Sequence, residues 1–94
     1  MTTIITAGRF TAGRIVISRG ASLALSQDEA FTGLARHLSG DWGDLGKADR
    51  KRNDAAVERG GCLFSRYATP SGTKFFVFTE HDRSATTILL PSEH

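Results

Sequence analysis

The run Lys74-Phe75-Phe76-Val77-Phe78-Thr79-Glu80 puts apolar side chains on consecutive positions, so a strand built from it is apolar on both faces. Such a strand belongs inside a sheet, with a neighbour on each side. The flanking sequence supplies those neighbours. Upstream, Cys62 to Tyr67 alternates, with Leu63, Ser65 and Tyr67 on one face and Cys62, Phe64 and Arg66 on the other. Pro70-Ser71-Gly72 then has turn chemistry. Downstream, His81-Asp82-Arg83-Ser84 is a polar turn, Thr86 to Leu90 is a second β-branched run, and Pro91 stops it. These segments predict a three-stranded antiparallel meander.

The middle of the chain reads as helix. Ser26-Gln27-Asp28-Glu29 has capping-box spacing, with Leu25 placed to act as a hydrophobic staple. A helix is predicted from Gln27 to about Ser39, with Ala30, Phe31, Leu34 and Leu38 as its buried stripe. Asp28 and Glu29 at its start and Arg36 and His37 at its end suit the helix dipole, and Gly40 supplies the left-handed residue that ends it. After the connector Asp41 to Gly46, a second helix is predicted from Lys47 to Arg59, closed by Gly60-Gly61. Its apolar face is thin (Leu45, Ala48, Ala55, Ala56, Val57), and Lys47, Arg50, Lys51, Arg52 and Arg59 coat the rest, so it is expected on the surface and loosely held.

Residues 4–25 read as extended. Ile4-Ile5 precedes Thr6-Ala7-Gly8-Arg9-Phe10, which is echoed by Thr11-Ala12-Gly13-Arg14-Ile15, an echo too short for a structural repeat. Arg14 to Ser18 is a β-branched strand, Arg19-Gly20 suits a turn, and Leu23 and Leu25 alternate in a second short strand over Ala21 to Leu25. The predicted order is ββ-αα-βββ. The fold class is α+β, a single domain over residues 1–94, with an antiparallel sheet of about five strands and two helices on one side.

Composition limits the function classes. The 94 residues carry a net charge of +2, too mild to argue for nucleic acid by itself. A single cysteine, Cys62, excludes an intramolecular disulfide and a CxxC metal site, and it reads as a small buried strand residue. The N-terminus lacks a basic region and a long apolar run, so no signal peptide or membrane span is expected, and the cytoplasm is the expected location.

Three groups carry candidate chemistry. His37, Asp41 and Asp44, with Trp42 between them, combine an imidazole and two carboxylates that metal binding or acid–base work would use. The simpler account makes His37 a helix-end residue, Asp41 and Asp44 turn caps, and Trp42 a core cover. Glu80, Asp82 and Arg83 crowd a tight turn, where Asp82 and Ser84 also suit bonds to the turn's own backbone. The basic helix residues Arg50, Lys51 and Arg52 offer a phosphate-binding face, diluted by Asp49 and Asp54. No phosphate-binding glycine loop, HExxH or GxSxG is present.

The stretch Arg36-His37-Leu38-Ser39-Gly40-Asp41-Trp42-Gly43, Asp49 and Asn53, Gly60-Gly61, Ser65 and Tyr67, Gly72-Thr73-Lys74, and Thr79-Glu80-His81-Asp82-Arg83-Ser84-Ala85-Thr86-Thr87-Ile88-Leu89-Leu90-Pro91 resembles a family of small uncharacterised proteins. Its members are carried by plasmids, integrative elements and prophages, and the resemblance covers residues 34–91. It implies no stated activity, catalytic residue, metal or cofactor. It does imply a setting in which small proteins counter host defences, as anti-CRISPR proteins do. On that analogy the protein is a non-enzymatic inhibitor that occupies a CRISPR effector and blocks DNA entry or nuclease recruitment. Its expected binding residues are Arg36, Trp42, Arg50, Lys51, Arg52, Tyr67, Asp82 and Arg83, chosen as aromatic, Arg and turn positions. The alternatives are a nucleic-acid-binding accessory protein using the basic helix, and a metal-dependent hydrolase or nuclease built from His37, Asp41, Asp44, Glu80 and Asp82. A monomer or a homodimer paired through an edge strand is expected.

Overall fold

The structure is a computed structural model that describes residues 8–94. The elements are β1 (Arg14–Ile17), α1 (Arg19–Ala24), α2 (Gln27–Leu38), α3 (Lys47–Arg59), β2 (Leu63–Ala68), β3 (Lys74–Thr79) and β4 (Ala85–Leu89), followed by a 3-10 turn at Pro91–Glu93. The strands form one sheet in the order β1-β4-β3-β2. β2, β3 and β4 make the expected antiparallel meander, with β3 inside, while β1 runs parallel to β4.

The fold is therefore α+β, but the sheet is four-stranded and mixed, and there are three α-helices instead of two among the described residues. The difference lies at Ala21 to Leu25, expected as a strand. Ser18 caps α1 by accepting the Ala21 N–H at 3.1 Å, and the Leu25 N–H closes the helix on the Ala21 carbonyl at 2.9 Å. Ala21 and Leu25 then fall on one helical face and are buried, whereas Leu23 is 78% exposed. With no hairpin partner, β1 takes the outer edge of β4, and the three helices and two strands that intervene supply the long crossover that parallel pairing requires. Ile4 to Ala7, read as extended, lie outside the described residues.

α2 forms as its sequence predicts. Ser26 accepts the Glu29 N–H at 3.1 Å, and Glu29 returns a bond to the Ser26 N–H at 2.8 Å. Gly40 follows with φ of +87°, so the Asp41 N–H reaches back to the Arg36 carbonyl at 2.9 Å. The buried stripe is rotated by one position: Ala30, Gly33, Leu34, His37 and Leu38 face the sheet, and Phe31 is 52% exposed. Gly33 permits this close approach, because a Cβ there would lie 2.5 Å from the Phe75 ring. The main core joins α1 and α2 to Tyr67, Phe75, Val77 and Ile88 on the helix-facing side of the sheet.

α3 is held mainly by polar contacts. Only Asn53 and Ala56 on it are buried. The Asn53 side-chain amide donates to the Phe64 carbonyl at 2.7 Å and accepts the Phe64 N–H at 3.3 Å, imitating a neighbouring strand along the edge of β2. A second small core of Trp42, Leu45, Ala56 and Leu63 lies under it. Farther along the same edge, the Arg66 N–H bonds the Trp42 carbonyl at 3.2 Å, and the Asp44 N–H bonds the Arg66 carbonyl at 2.8 Å. The β2 edge is thus closed by α3 and the 42–44 segment.

Asn53→Ala strips both partners from the Phe64 peptide groups. It is expected to lower stability by about 2 kcal/mol, read from urea unfolding. A loss below about 0.5 kcal/mol, the range of ordinary surface changes, contradicts this role.

Candidate interaction surface

His37 is fully buried and lies in a chain of hydrogen bonds. Its Nδ1 is 2.5 Å from Ser65 Oγ and its Nε2 is 2.9 Å from Thr79 Oγ1. Thr79 Oγ1 is 2.7 Å from Thr86 Oγ1, which donates to the Ala12 carbonyl at 2.7 Å. The direction of the chain follows from proton counting. The Ala12 carbonyl only accepts, so it takes the single Thr86 hydroxyl proton. Thr79 must then donate to Thr86, and His37 must donate to Thr79 from Nε2–H. Nδ1 carries no proton and accepts from Ser65. Phe10 and Trp42 set ring edges against the imidazole, with centroids at 5.3 and 5.5 Å. Burial, with the charge of Arg83 as a smaller cause, pushes the His37 pKa down to about 3.

The nearby polar residues also have structural partners. Arg36 forks onto Asp41 at 2.7 and 3.3 Å, and the Asp41 carboxylate accepts the Gly43 N–H at 3.2 Å. The Arg36 bond, ahead of the Gly43 bond, holds the Asp41 carboxyl below its ordinary range. The Arg36 guanidinium covers the Tyr67 ring at 4.6 Å, and the Tyr67 hydroxyl donates to the Asp41 carbonyl at 2.5 Å. Trp42 donates from its indole to Asp54 at 3.0 Å. Trp42 and Tyr67, expected as exposed anchors, are in fact interior residues at 3% and 2% exposure.

In the β3–β4 turn, Asp82 accepts the Ser84 N–H at 3.0 Å. Arg83 has φ of +62°, a left-handed conformation rare outside glycine. That backbone aims its half-buried guanidinium at four carbonyls: Ala56 at 2.7 Å, Gly61 at 2.6 Å, and Glu80 and His81 both at 3.2 Å. Arg83 is therefore a clamp between the end of α3 and the meander. His37, Asp41, Asp44, Glu80 and Asp82 do not assemble a centre, and no cluster of three metal-ligating side chains occurs among the described residues.

The basic run of α3 divides. Arg50 and Lys51 line a groove of about 350 Å³ over the Gly40–Gly43 turn, together with Lys47. Arg52, paired with Asp49 at 3.2 Å, lines a different cleft beside Phe64, Arg66 and Cys62. Cys62 is exposed, contrary to the expectation of a buried strand residue, because it precedes β2 on its outward face.

That second cleft opens onto the face of the sheet turned away from the helices. Cross-strand register makes Phe64, Phe78, Thr87 and Val16 one row and Arg66, Phe76 and Leu89 the next. Arg14 and Lys74 share this face by strand alternation. Phe64, Phe76, Phe78 and Leu89 remain half-buried, whereas their alternates Leu63, Val77 and Ile88 are fully covered. Phe64 and Phe76 meet edge to face at 4.7 Å, and the His94 ring lies 5.5 Å from each. Glu93 holds the end of the chain there, accepting from the Ser18 hydroxyl at 2.5 Å and from the Gly20 and Leu90 N–H groups at 2.9 and 2.8 Å. A shallow cleft of about 240 Å³ runs between Phe78, Leu89 and His94. None of these aromatics was among the expected binding residues. The signal was present in the doubly apolar Phe75–Phe78 run, since helices on one side of a sheet leave the other side of its central strand uncovered.

No protein-family model matches the chain, and neither curated proteins nor solved structures include a match to it.

Because His37 titrates lower in the folded chain than its unfolded value near 6.5, protonation favours unfolding. Its contribution is intact above about pH 6.5 and declines as pH falls toward 3, by up to about 1.4 kcal/mol per pH unit. Urea unfolding from about pH 7 to pH 5 is expected to show this decline in the wild type and to lose that part of it in His37→Gln. Equal pH slopes in the two proteins contradict the assignment.

Proposed function

We propose that the protein is a non-enzymatic binding module of a mobile element that acts in the host cytoplasm by occupying a surface of a defence complex of CRISPR-effector type, blocking DNA entry or nuclease recruitment. The resemblance to plasmid, prophage and integrative-element proteins supplies the setting. The observation that carries a binding role is the open sheet face, where Phe64, Phe76, Phe78 and Leu89 stay half-buried inside a border that includes Arg14, Arg52, Arg66 and Lys74. Exposed aromatic patches bordered by arginine are where binding energy concentrates in interfaces. The residues first considered for catalysis support the same reading, since His37, Asp41 and Asp82 are engaged in holding the chain's own backbone and side chains. The basic-helix alternative is weakened because Arg50 and Lys51 face a different groove from Arg52.

The test is protection of incoming DNA in a host with an active CRISPR effector, paired with affinity capture of that effector. The wild-type protein is expected to raise transformation and to retain effector subunits, and folded Phe76→Ser is expected to do neither. No protection and no capture across CRISPR and restriction systems overturns the reading.

A further inference from the structure

We infer that the open sheet face binds single-stranded nucleic acid, with bases stacked on Phe64, Phe76 and Phe78 and phosphates held by the bordering cations. The inference rests on the reading of this face as the docking surface, and it names the part of a defence complex that the face takes: an exposed strand.

Three observations converge. The first is the aromatic platform. Phe64 and Phe78 are directly paired across β2 and β3, and Phe76 adjoins Phe64 at 4.7 Å. Rings on neighbouring strands of an open four-stranded sheet lie at spacings that successive splayed bases can follow, and each base stacked on an aromatic contributes about 1–3 kcal/mol.

The second is charge. Arg66 borders Phe64 beside Arg52, whose charge is shared with Asp49 at 3.2 Å in the same cleft, while Lys74 stands two residues before Phe76 on the same face and Arg14 sits on the β1 side. Glu80 is the one carboxylate lining the cleft beside Phe78, among the described residues. Arg66 gives one bond to the Asp44 carbonyl at 3.0 Å and keeps further donors.

The third is that the platform already contacts an aromatic side chain. The exposed His94 imidazole, brought there by the Glu93 anchor, lies 5.5 Å from Phe64 and Phe76, tilted at 46° to the first and edge-on at 90° to the second. The adjoining 240 Å³ cleft continues past it along Phe78, Thr87 and Leu89. Rings embedded in a sheet face reach unpaired bases and do not reach bases enclosed in a duplex, so the preferred form is single-stranded.

The experiment is fluorescence anisotropy of the full chain with a labelled 15-nucleotide oligothymidylate, its RNA counterpart oligouridylate, and a duplex of the same length, each over a salt series. At least one single strand is expected to bind more tightly than the duplex. Phe76→Leu, which keeps apolar bulk but removes the stacking ring, and Phe78→Ala are each expected to weaken binding about tenfold. Lys74→Gln and Arg66→Gln are each expected to reduce the salt slope by about 0.7. Overturning results are no binding of either strand at low salt, equal binding of duplex and strand, or unchanged affinity in folded Phe76→Leu. Capture of an effector from nuclease-treated lysate without oligonucleotide binding removes this inference and leaves the docking reading standing. Oligonucleotide binding without protection of incoming DNA does the reverse.

Discussion

The fold depends on a buried imidazole that has no access to water and only one consistent way to place its proton. His37 connects α2 to β2 through Ser65, to β3 through Thr79, and from there to β4 and the N-terminal segment through Thr86 and Ala12. Each hydroxyl in that chain has one proton and passes it in one direction, so the network is satisfied only when these segments sit in register. The apolar core contacts tolerate a small slide, because dispersion is non-directional, whereas a buried polar chain is penalised as soon as one member loses its partner. The result is a small core in which apolar packing supplies driving force and the His37 chain supplies alignment.

The same division of labour recurs around α3. Its apolar surface is too small to secure it, and three side-chain contacts do so instead: Asn53 on the Phe64 peptide groups, Arg83 on the Ala56 carbonyl, and Asp54 accepting from the Trp42 indole. The Asn53 bonds and the backbone of Trp42 and Asp44 also close the outer edge of β2. With the helices on one side and one edge covered, the other broad face of the sheet is left with half-buried phenylalanines and a cationic border. The residues that look most chemical in the sequence hold the framework, and several that look most like core line the uncovered face of the sheet.

Much of the framework was legible in the sequence because its signals are local. The Ser26–Glu29 capping box fixes the start of α2, Gly40 its end, and the alternation in Cys62–Tyr67 and the doubly apolar Phe75–Phe78 run fix the meander. The misreadings came where a local pattern fits two structures. Leu23 and Leu25 alternate as in a strand, yet Ala21 and Leu25 are also one helical turn apart, and the Ser18 cap decides for helix. Helical spacing places Phe31 in the buried stripe with Ala30, Leu34 and Leu38, but the close approach of Gly33 to Phe75 rotates α2 and turns Phe31 to solvent. Trp42, Tyr67 and Arg83 were read as contact residues from their type alone. Their burial depends on partners 12 to 27 residues away, which no window of sequence displays. The parallel pairing of β1 with β4 likewise joins segments about 70 residues apart.

The central claim is that His37 is a neutral, structural member of a one-way hydrogen-bond chain and is unavailable for proton transfer or metal binding. Two-bond proton–nitrogen correlation NMR on the imidazole tests it most directly. The expected spectrum is that of the tautomer with its proton on Nε2 and a bare Nδ1, unchanged from about pH 8 to about pH 5. A proton on Nδ1, or an ordinary titration centred near pH 6.5, contradicts it.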